Sequence, residues 1–312
     1  MNPFDENVRH NYIISTGGLA ATTQAQKEAE IDFNCINVDL DTPIYRYMKW
    51  DYLKGFYDDP NHEWILARPC LWQDRYEHFI FKCEEYYDTA MKCKVGIGHL
   101  ADNFFAQCWT LVEESSMQWQ VNKPHSNSRK DNDGNDGNSE IWVKVRTTPR
   151  RLLGAMFYSA NNPISYGLNQ LGYFIGKVEY LDSDFIKNFQ LADTNQIVDS
   201  KGLQQVLFLL QKRKPYEAEQ EVRLVMQVDY PFTQQHDANA ILHNKNKDLL
   251  GRHIDDWYEL IDEIVLDPWV DANQKTQVEQ YLQNLAQKEN KSIIPLRKSD
   301  LNDAPQYMVP VI

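Results

Sequence analysis

Residues 263–268 read EIVLDP, a short apolar run that ends at an Asp-Pro pair. Four apolar residues then recur at helical spacing: Val278, Tyr281, Leu282 and Leu285. Residues 292–297 (SIIPLR) return to a strand-like pattern. Apolar residues three, four and seven positions apart share one face of a helix, so the order is strand, helix, strand. Two strands joined by a helix are usually parallel, so this stretch predicts a C-terminal βαβ unit.

The segments upstream alternate between strand-like and helix-like patterns. Strands are predicted at residues 44–47, 63–68, 104–110, 141–146, 173–180 and 222–228. Helices are predicted at residues 49–57, 77–91 and 203–210, and another begins at Thr148-Pro149. Scattered helices around strands of mixed direction predict an α+β protein, with a single mixed β-sheet as its core and helices around it.

The chain is predicted to have one folded domain. Residues 1–40 are polar and read as an N-terminal extension, and nothing clearly divides residues 41–312. Residues 122–139 lack large apolar side chains, so burial cannot offset the entropy lost on ordering, and we predict a flexible insertion. Its DNDGNDG core also suggests a calcium-binding loop. In an EF-hand loop that starts at Asp131, however, Trp142 takes the position of the glutamate that binds the ion.

Composition limits the classes of function. The 312 residues carry a formal net charge of −13, which argues against a general electrostatic grip on DNA or anionic lipid. The longest strongly apolar run, residues 206–210, is far shorter than the ~20 residues of a membrane span. The start lacks the apolar core of a secretory signal, and the five cysteines and eight histidines show no metal-ligand spacing. These features predict a cytoplasmic protein with free thiols and no zinc site.

The most informative charged segment is residues 212–225, KRKPYEAEQEVRLV. In an extended strand Glu219, Glu221 and Arg223 share one face, while the opposite face carries Val222, Leu224 and Met226 toward a core. Two neighbouring carboxylates can divide catalytic work, with the arginine keeping one of them ionised. A solvated edge strand whose charges pair on the surface explains the same pattern and is the commoner situation.

Two other segments are candidate sites. Tyr45-Arg46-Tyr47 could bind a phosphate through the guanidinium while a ring stacks on a planar group, or could be a surface arginine between two half-buried rings. Asp74 and Glu77 could form a metal-binding or positioning loop, or the acidic first turn of a helix. The glycine-rich, P-loop, zincin and nucleophile-elbow motifs are absent from the sequence.

Taken in order, these segments resemble a bacterial family known as domain of unknown function 2971. The matching stretches are residues 44–47, 72–77, 108–110, 177–180, 212–223 and 260–268. One departure is that Trp119 is followed by Gln120-Val121-Asn122, whereas the family tends to have a histidine or tyrosine after this tryptophan.

The order of parts in that family is similar to the ADP-ribosyltransferase-like fold, with its split sheet. The similarity implies that NAD is the substrate and that no metal is required. It implies that Arg46, flanked by Tyr45 and Tyr47, grips NAD and that the Thr110 hydroxyl supports the site. It also implies that Glu221 bonds the nicotinamide ribose and that Glu219 orients or activates the acceptor.

The resemblance therefore predicts an NAD-consuming effector, either an ADP-ribosyltransferase or an NAD glycohydrolase. It places the protein among bacterial toxins or anti-phage defence proteins, with a protein or nucleic-acid acceptor, a possible regulatory partner and no membrane contact. The first alternative is a metal-dependent hydrolase or nuclease in which Asp74, Glu77, Glu219 and Glu221 hold Mg²⁺. The second is a non-catalytic sensor or partner-binding protein.

Overall fold

The computed structural model describes residues 28, 31–72, 74, 77, 86–88, 92–95, 104–122, 140–158, 173–187, 203–227 and 248–303. The strands are β1 (Cys35–Ile36), β2 (Ile44–Lys49), β3 (Glu63–Ala67), β4 (Tyr86–Asp88), β5 (Cys93–Val95), β6 (Phe104–Thr110), β7 (Trp142–Thr147), β8 (Tyr173–Lys177), β9 (Glu179–Leu181), β10 (Gln211–Arg213), β11 (Glu221–Gln227), β12 (Leu249–His253), β13 (Glu263–Leu266) and β14 (Leu296–Lys298). The helices are α1 (Trp50–Asp58), α2 (Ser116–Asn122), α3 (Pro149–Tyr158), α4 (Ser183–Lys187), α5 (Leu203–Leu209) and α6 (Ala272–Glu289).

One mixed sheet organises the described part of the chain, which confirms the predicted α+β class. Its main path runs β1-β8-β11-β6-β2-β7-β13-β14, with β3 added to β6 and β12 added to β3. The β1–β8 and β13–β14 pairs are parallel, and the other pairs of this sheet are antiparallel. Two small ribbons, β4–β5 and β9–β10, complete the described strands.

The C-terminal βαβ unit is confirmed. β13 and β14 pair in parallel, with Ile264 opposite Leu296. Between them lies α6, whose N-cap is Asp271. The Asp271 side chain accepts from the Gln274 N–H and the Gln274 side chain accepts from the Asp271 N–H, which is a capping box. Three of the four residues of the predicted apolar stripe, Val278, Leu282 and Leu285, are buried.

The sheet forks at β6. One edge of β6 pairs with β11 along its whole length. The other edge is shared, since β2 pairs only at Thr110 and β3 only at Ala106. The strands β2 and β3 therefore leave β6 on either side of Cys108, and this fork opens a gap beside the centre of the sheet.

Several predictions from the sequence need correction. Within the predicted helix 77–91, Tyr86–Asp88 is a strand paired with Cys93–Val95. The predicted strand 173–180 is two strands, interrupted at Val178. Residues 31–40, assigned to the N-terminal extension, pack against the body: Ile31 and Ile36 are buried, and β1 pairs with β8.

The structure bears on three further predictions: the insertion, the free thiols and the lack of a membrane span. Most of the predicted insertion, residues 123–139, lies outside the described residues, and so does most of the calcium register within it. Cys35, Cys70, Cys93 and Cys108 are free thiols. In the described part of the chain, none of the helices has both the length and the apolar character needed to cross a membrane.

Candidate functional site

A cleft of about 280 Å³ lies at the fork of the sheet. Its walls come from four parts of the chain: β2, β6, α2 and the junction of residues 219–221 that leads into β11. The lining residues are Tyr45, Arg46, Tyr47, Cys108, Trp109, Thr110, Met117, Gln118, Glu219 and Glu221. The structure thus brings together all the candidates that were predicted to bind NAD or to act on it, and places Asp74, Glu77 and Arg223 outside the lining.

The two glutamates reach the cleft by an unexpected backbone route. Residues Lys214–Glu219 form a 3₁₀ helix rather than the start of a strand, and Gln220 has a left-handed conformation with φ of 42°. The Thr110 hydroxyl donates to the Glu219 carbonyl (2.6 Å), and the Leu111 N–H donates to the Gln220 carbonyl (2.9 Å). These bonds fix the junction against the end of β6, so that Glu219 and Glu221 both line the cleft.

The strand that carries Glu221 is central, so the alternative of a solvated edge strand is wrong. β11 lies between β8 and β6 and pairs with both. Val222, Leu224 and Met226 join the hydrophobic core, as predicted. On the opposite face Glu221 is almost fully buried and the Arg223 side chain is 0% exposed.

Behind the cleft lies a buried charge cluster made of Glu77, Glu219, Glu221, Lys212 and Arg223. The Lys212 ammonium lies 2.6 Å from Glu219 Oε2, 3.0 Å from Glu77 Oε1 and 3.3 Å from Glu221 Oε2. The Arg223 guanidinium donates to Glu221 (2.7 Å), to Glu77 (3.1 Å) and to the Leu209 carbonyl (2.6 Å). Each buried carboxylate therefore contacts a cation, as burial of charge requires.

The cluster keeps Glu221 ionised. Burial raises the pKa of Glu221, but the positive charges of Arg223 and then Lys212 lower it further, so the pKa lies below its usual value. For Glu77 burial is the larger effect, and its pKa is raised despite the same two cations. Glu221 is thus the better carboxylate anion of these two at neutral pH.

Trp72, Asp74 and Glu77 contact the cations of this cluster or its neighbour Arg213, and the lining of the cleft does not include them. The ring of Trp72 lies 4.0 Å from the Arg223 guanidinium. Asp74 accepts two bonds from Arg213, at 2.7 and 3.1 Å. Both acids are buried and bound to cations, so in the structure they anchor this segment to the elements that carry the glutamates.

Arg46 lies at the point where β2 leaves β6. Its Nη1 donates to the carbonyl of Cys108 (2.8 Å), the residue between the two strand pairings of the fork. Its Nε is buried and has no hydrogen-bond partner. Burial lowers the pKa of Arg46, and the charge of Glu221 only partly offsets this. A cation that burial disfavours in this way stabilises an anionic group that enters the cleft.

The tyrosines beside Arg46 have structural contacts of their own. The Tyr47 hydroxyl accepts from the Ser115 N–H (3.3 Å), and its ring meets that of Trp119 edge-on with centroids 4.6 Å apart. Lys144 lies 5.2 Å from the centre of the Tyr45 ring. Both rings are buried on one side and line the cleft on the other.

Four lining residues were not found from the sequence: Cys108, Trp109, Met117 and Gln118. The first two directly precede Thr110 on β6, and the others lie on α2, which was not predicted. Helix α2 is anchored by Trp119, whose side chain is 1% exposed. This tryptophan was the signal in the sequence that could have indicated the helix. Burial, and then the charge of Glu221, raise the pKa of the Cys108 thiol, so it is not an activated nucleophile.

Among the described residues, no group of three or more His, Cys, Asp and Glu side chains is arranged to hold a metal ion. At the place where Glu77, Glu219 and Glu221 converge, the Lys212 ammonium occupies the centre.

Comparison with known proteins returned no match: no family model, curated protein or solved structure matches this chain. The resemblance to domain of unknown function 2971, and the likeness to ADP-ribosyltransferase folds, stay predictions.

Proposed function

We propose that the protein cleaves NAD at the bond between nicotinamide and ribose, as an ADP-ribosyltransferase or an NAD glycohydrolase. One observation carries the proposal: Arg46, Thr110, Glu219 and Glu221, from three distant parts of the sequence, line a single cleft. The resemblance of the sequence assigned a role in NAD cleavage to these same four residues, and their convergence supports that assignment.

In the proposed reaction the C1′–N bond of the nicotinamide riboside breaks, and nicotinamide leaves with the bonding electrons. The ribose C1′ becomes an oxocarbenium ion, which a lone pair from water or from an acceptor then attacks. The proton of that nucleophile passes to a base or to solvent, and Glu219 is the candidate base, because its side chain is 30% exposed against 8% for Glu221.

Glu221, Arg46 and Thr110 each have a separate role in the proposed reaction. The Glu221 carboxylate, ionised by its cations, stabilises the positive charge that develops on the ribose. The buried guanidinium of Arg46 attracts the phosphates of NAD, since its described hydrogen bond goes to the Cys108 carbonyl and its Nε has no hydrogen-bond partner. The Thr110 hydroxyl holds the Glu219 carbonyl and so fixes the wall that carries both acids.

The metal-dependent alternative is less well supported. A Mg²⁺ ion bound by Glu77, Glu219 and Glu221 would have to displace Lys212, which lies within 3.3 Å of all three. Asp74 is bound to Arg213 instead. Chelation by EDTA separates the two hypotheses, because NAD cleavage should persist in its presence.

The proposal is tested by Glu221→Gln, which keeps the shape of the side chain and removes its charge. Loss of one electrostatic contact to a transition state costs about 10²- to 10³-fold in kcat, and we expect a loss of that size in nicotinamide release from NAD. The matched control is Glu217→Gln, an exposed residue of the same 3₁₀ helix, which should retain activity. A folded Glu221→Gln protein with undiminished turnover would falsify the proposal.

The acceptor follows from a second measurement. Incubation with NAD labelled in the adenylate part, together with candidate protein and nucleic-acid acceptors, should label one class if the protein is a transferase. Release of free ADP-ribose alone would identify a glycohydrolase. A role as a toxin or in anti-phage defence, with a regulatory partner, rests on the resemblance of the sequence.

A further inference from the structure

Lys212 contacts both of the acids proposed to act on NAD. It lies on β10, and its side chain is 9% exposed. Its ammonium reaches Glu219 at 2.6 Å and Glu221 at 3.3 Å, and also Glu77 at 3.0 Å. The lining of the cleft does not include it, so it acts on a bound ligand only through the glutamates.

We infer that Lys212 is the positioning residue of the cleft, and that its ammonium holds the carboxylates of Glu219 and Glu221 next to each other. The expected effect of Lys212 on NAD cleavage rests on the proposed function. The arrangement that it describes, a pair of carboxylates joined by one ammonium ion, is independent of the ligand.

The physical need for such a residue comes from repulsion between carboxylates. The ammonium nitrogen lies 2.6 Å from an oxygen of Glu219 and 3.3 Å from an oxygen of Glu221, so the two carboxylates are close to each other. Without a cation between them, their repulsion would push the two side chains apart and disfavour the ionised form of Glu221. Arg223 bonds Glu221 and Glu77, and no bond from it to Glu219 is described. Lys212 is the cation that links the two members of the pair.

Other charged or titratable groups also face the pair, and they are part of the expected pH behaviour. Around Lys212 lie three carboxylates and an aromatic ring: Glu77, Glu219, Glu221 and Tyr216. Around Glu221 lie two further cations, a thiol and a hydroxyl: Arg223, Arg46, Cys108 and Tyr180. The positive charge of Lys212 lowers the pKa of Glu221 together with that of Arg223.

Strand pairing and the contacts of its neighbour fix the position of Lys212. Lys212 lies opposite Tyr180 in the parallel β9–β10 ribbon. Its neighbour Arg213 is fixed by the two bonds to Asp74. A lysine suits this position because its ammonium has three donors and faces three carboxylates, whereas the planar fork of an arginine favours two parallel bonds to one carboxylate.

The first test compares Lys212→Met, Lys212→Arg and the control Lys214→Met in NAD cleavage across pH. Lys214 is exposed and lies 3.6 Å from Asp182, so its variant removes the same charge nearby. Loss of an opposite charge at this range raises the pKa of a carboxyl by about one unit or more. We therefore expect Lys212→Met to move the acid limb of kcat upward by about one pH unit. At neutral pH kcat should also fall, by about tenfold or more, because the two carboxylates are no longer held in place. Lys214→Met should match the wild-type protein.

The Lys212→Arg variant separates charge from geometry. It keeps the positive charge, so the acid limb should stay at the wild-type pH, while kcat falls because the three contacts cannot all be made. A residue that serves only folding would lower the yield or the stability and leave the acid limb of the folded enzyme where it was. If Lys212→Met does not fold, Lys212→Arg with wild-type kcat overturns the inference.

A second readout needs no NAD. Glu221 has a lowered pKa in the folded protein, so its ionisation stabilises the fold above the unfolded pKa of about 4.3, and this contribution is lost as the pH falls through the folded value. In urea unfolding, the stability difference between wild type and Lys212→Met should therefore shrink as the pH is lowered, and that for Lys214→Met should stay constant. A constant difference for Lys212→Met, with an unmoved acid limb, overturns the role of Lys212. Absence of NAD cleavage by the wild-type protein overturns the proposed function instead.

Discussion

Replacement of Arg223 by methionine tests whether the buried charge cluster is held together as the structure shows. The guanidinium is fully buried, and its loss leaves Glu221 and Glu77 with Lys212 as the cation still in contact. Removal of one partner from a buried ion pair costs about 3–5 kcal/mol. Since Lys212 remains 3.3 Å from Glu221 and 3.0 Å from Glu77, we expect the lower end, about 3 kcal/mol.

Urea unfolding measures this cost. With a slope of about 3 kcal/mol per M, a loss of about 3 kcal/mol lowers the midpoint by about 1 M. The control is Arg146→Met, whose guanidinium is 37% exposed and pairs with Asp262 at 2.7 Å and Glu263 at 3.3 Å. Exposed ion pairs of this kind contribute about 0–1 kcal/mol, so the control should barely move the midpoint.

The cost of Arg223→Met should also depend on pH in a defined direction. In the wild-type protein the lowered pKa of Glu221 makes stability fall as the pH drops. Without Arg223, burial raises the pKa of the same carboxyl, and protonation then removes the unfavourable buried charge. The stability gap between the two proteins should therefore narrow as the pH falls. The reasoning would be refuted if Arg223→Met and Arg146→Met lowered the free energy of unfolding equally. It would also be refuted if the stability difference between Arg223→Met and the wild type did not change with pH.

Two further substitutions test the frame around the site. Trp119→Ala removes a buried ring that packs on Tyr47 and donates to Glu114. We expect the free energy of unfolding in urea to fall by about 3–5 kcal/mol and the KM for NAD to rise. A stability like that of the wild type would contradict the anchoring of α2 by Trp119. Asp271→Ala removes the capping box shared with Gln274; unfolding should show a loss of about 1 kcal/mol with unchanged kcat, and Asp271→Asn should restore most of the stability.

Local periodicity was sufficient for most of the elements. The alternation of Val222, Leu224 and Met226 predicted both the strand β11 and the face that enters the core. The apolar stripe of α6, flanked by two short apolar runs, predicted the C-terminal βαβ unit. These features depend on neighbours in sequence, and a single strand or helix expresses them whatever surrounds it.

Where the prediction failed, contacts distant in sequence had overruled the local pattern. Residues 86–88 lie in a segment that was predicted to be a helix, yet they pair with β5 as a strand. Residues 31–40 were assigned to an extension because residues 1–40 as a whole are polar, but Ile31 and Ile36 are buried and β1 adds to the edge of β8. Pairing partners of this kind cannot be identified from the segment itself.

By itself, the sequence singled out an early arginine and a late pair of glutamates as candidates, and the family resemblance added a central hydroxyl. Whether they meet was decided by the tertiary structure, because the register of β2, β6 and β11 places Arg46, Thr110 and Glu221 at one fork of the sheet. Burial was decided there too. Composition favours charged residues at the surface, but β11 is covered by strands on both edges, and its Glu221 and Arg223 are stable inside only because each faces an opposite charge.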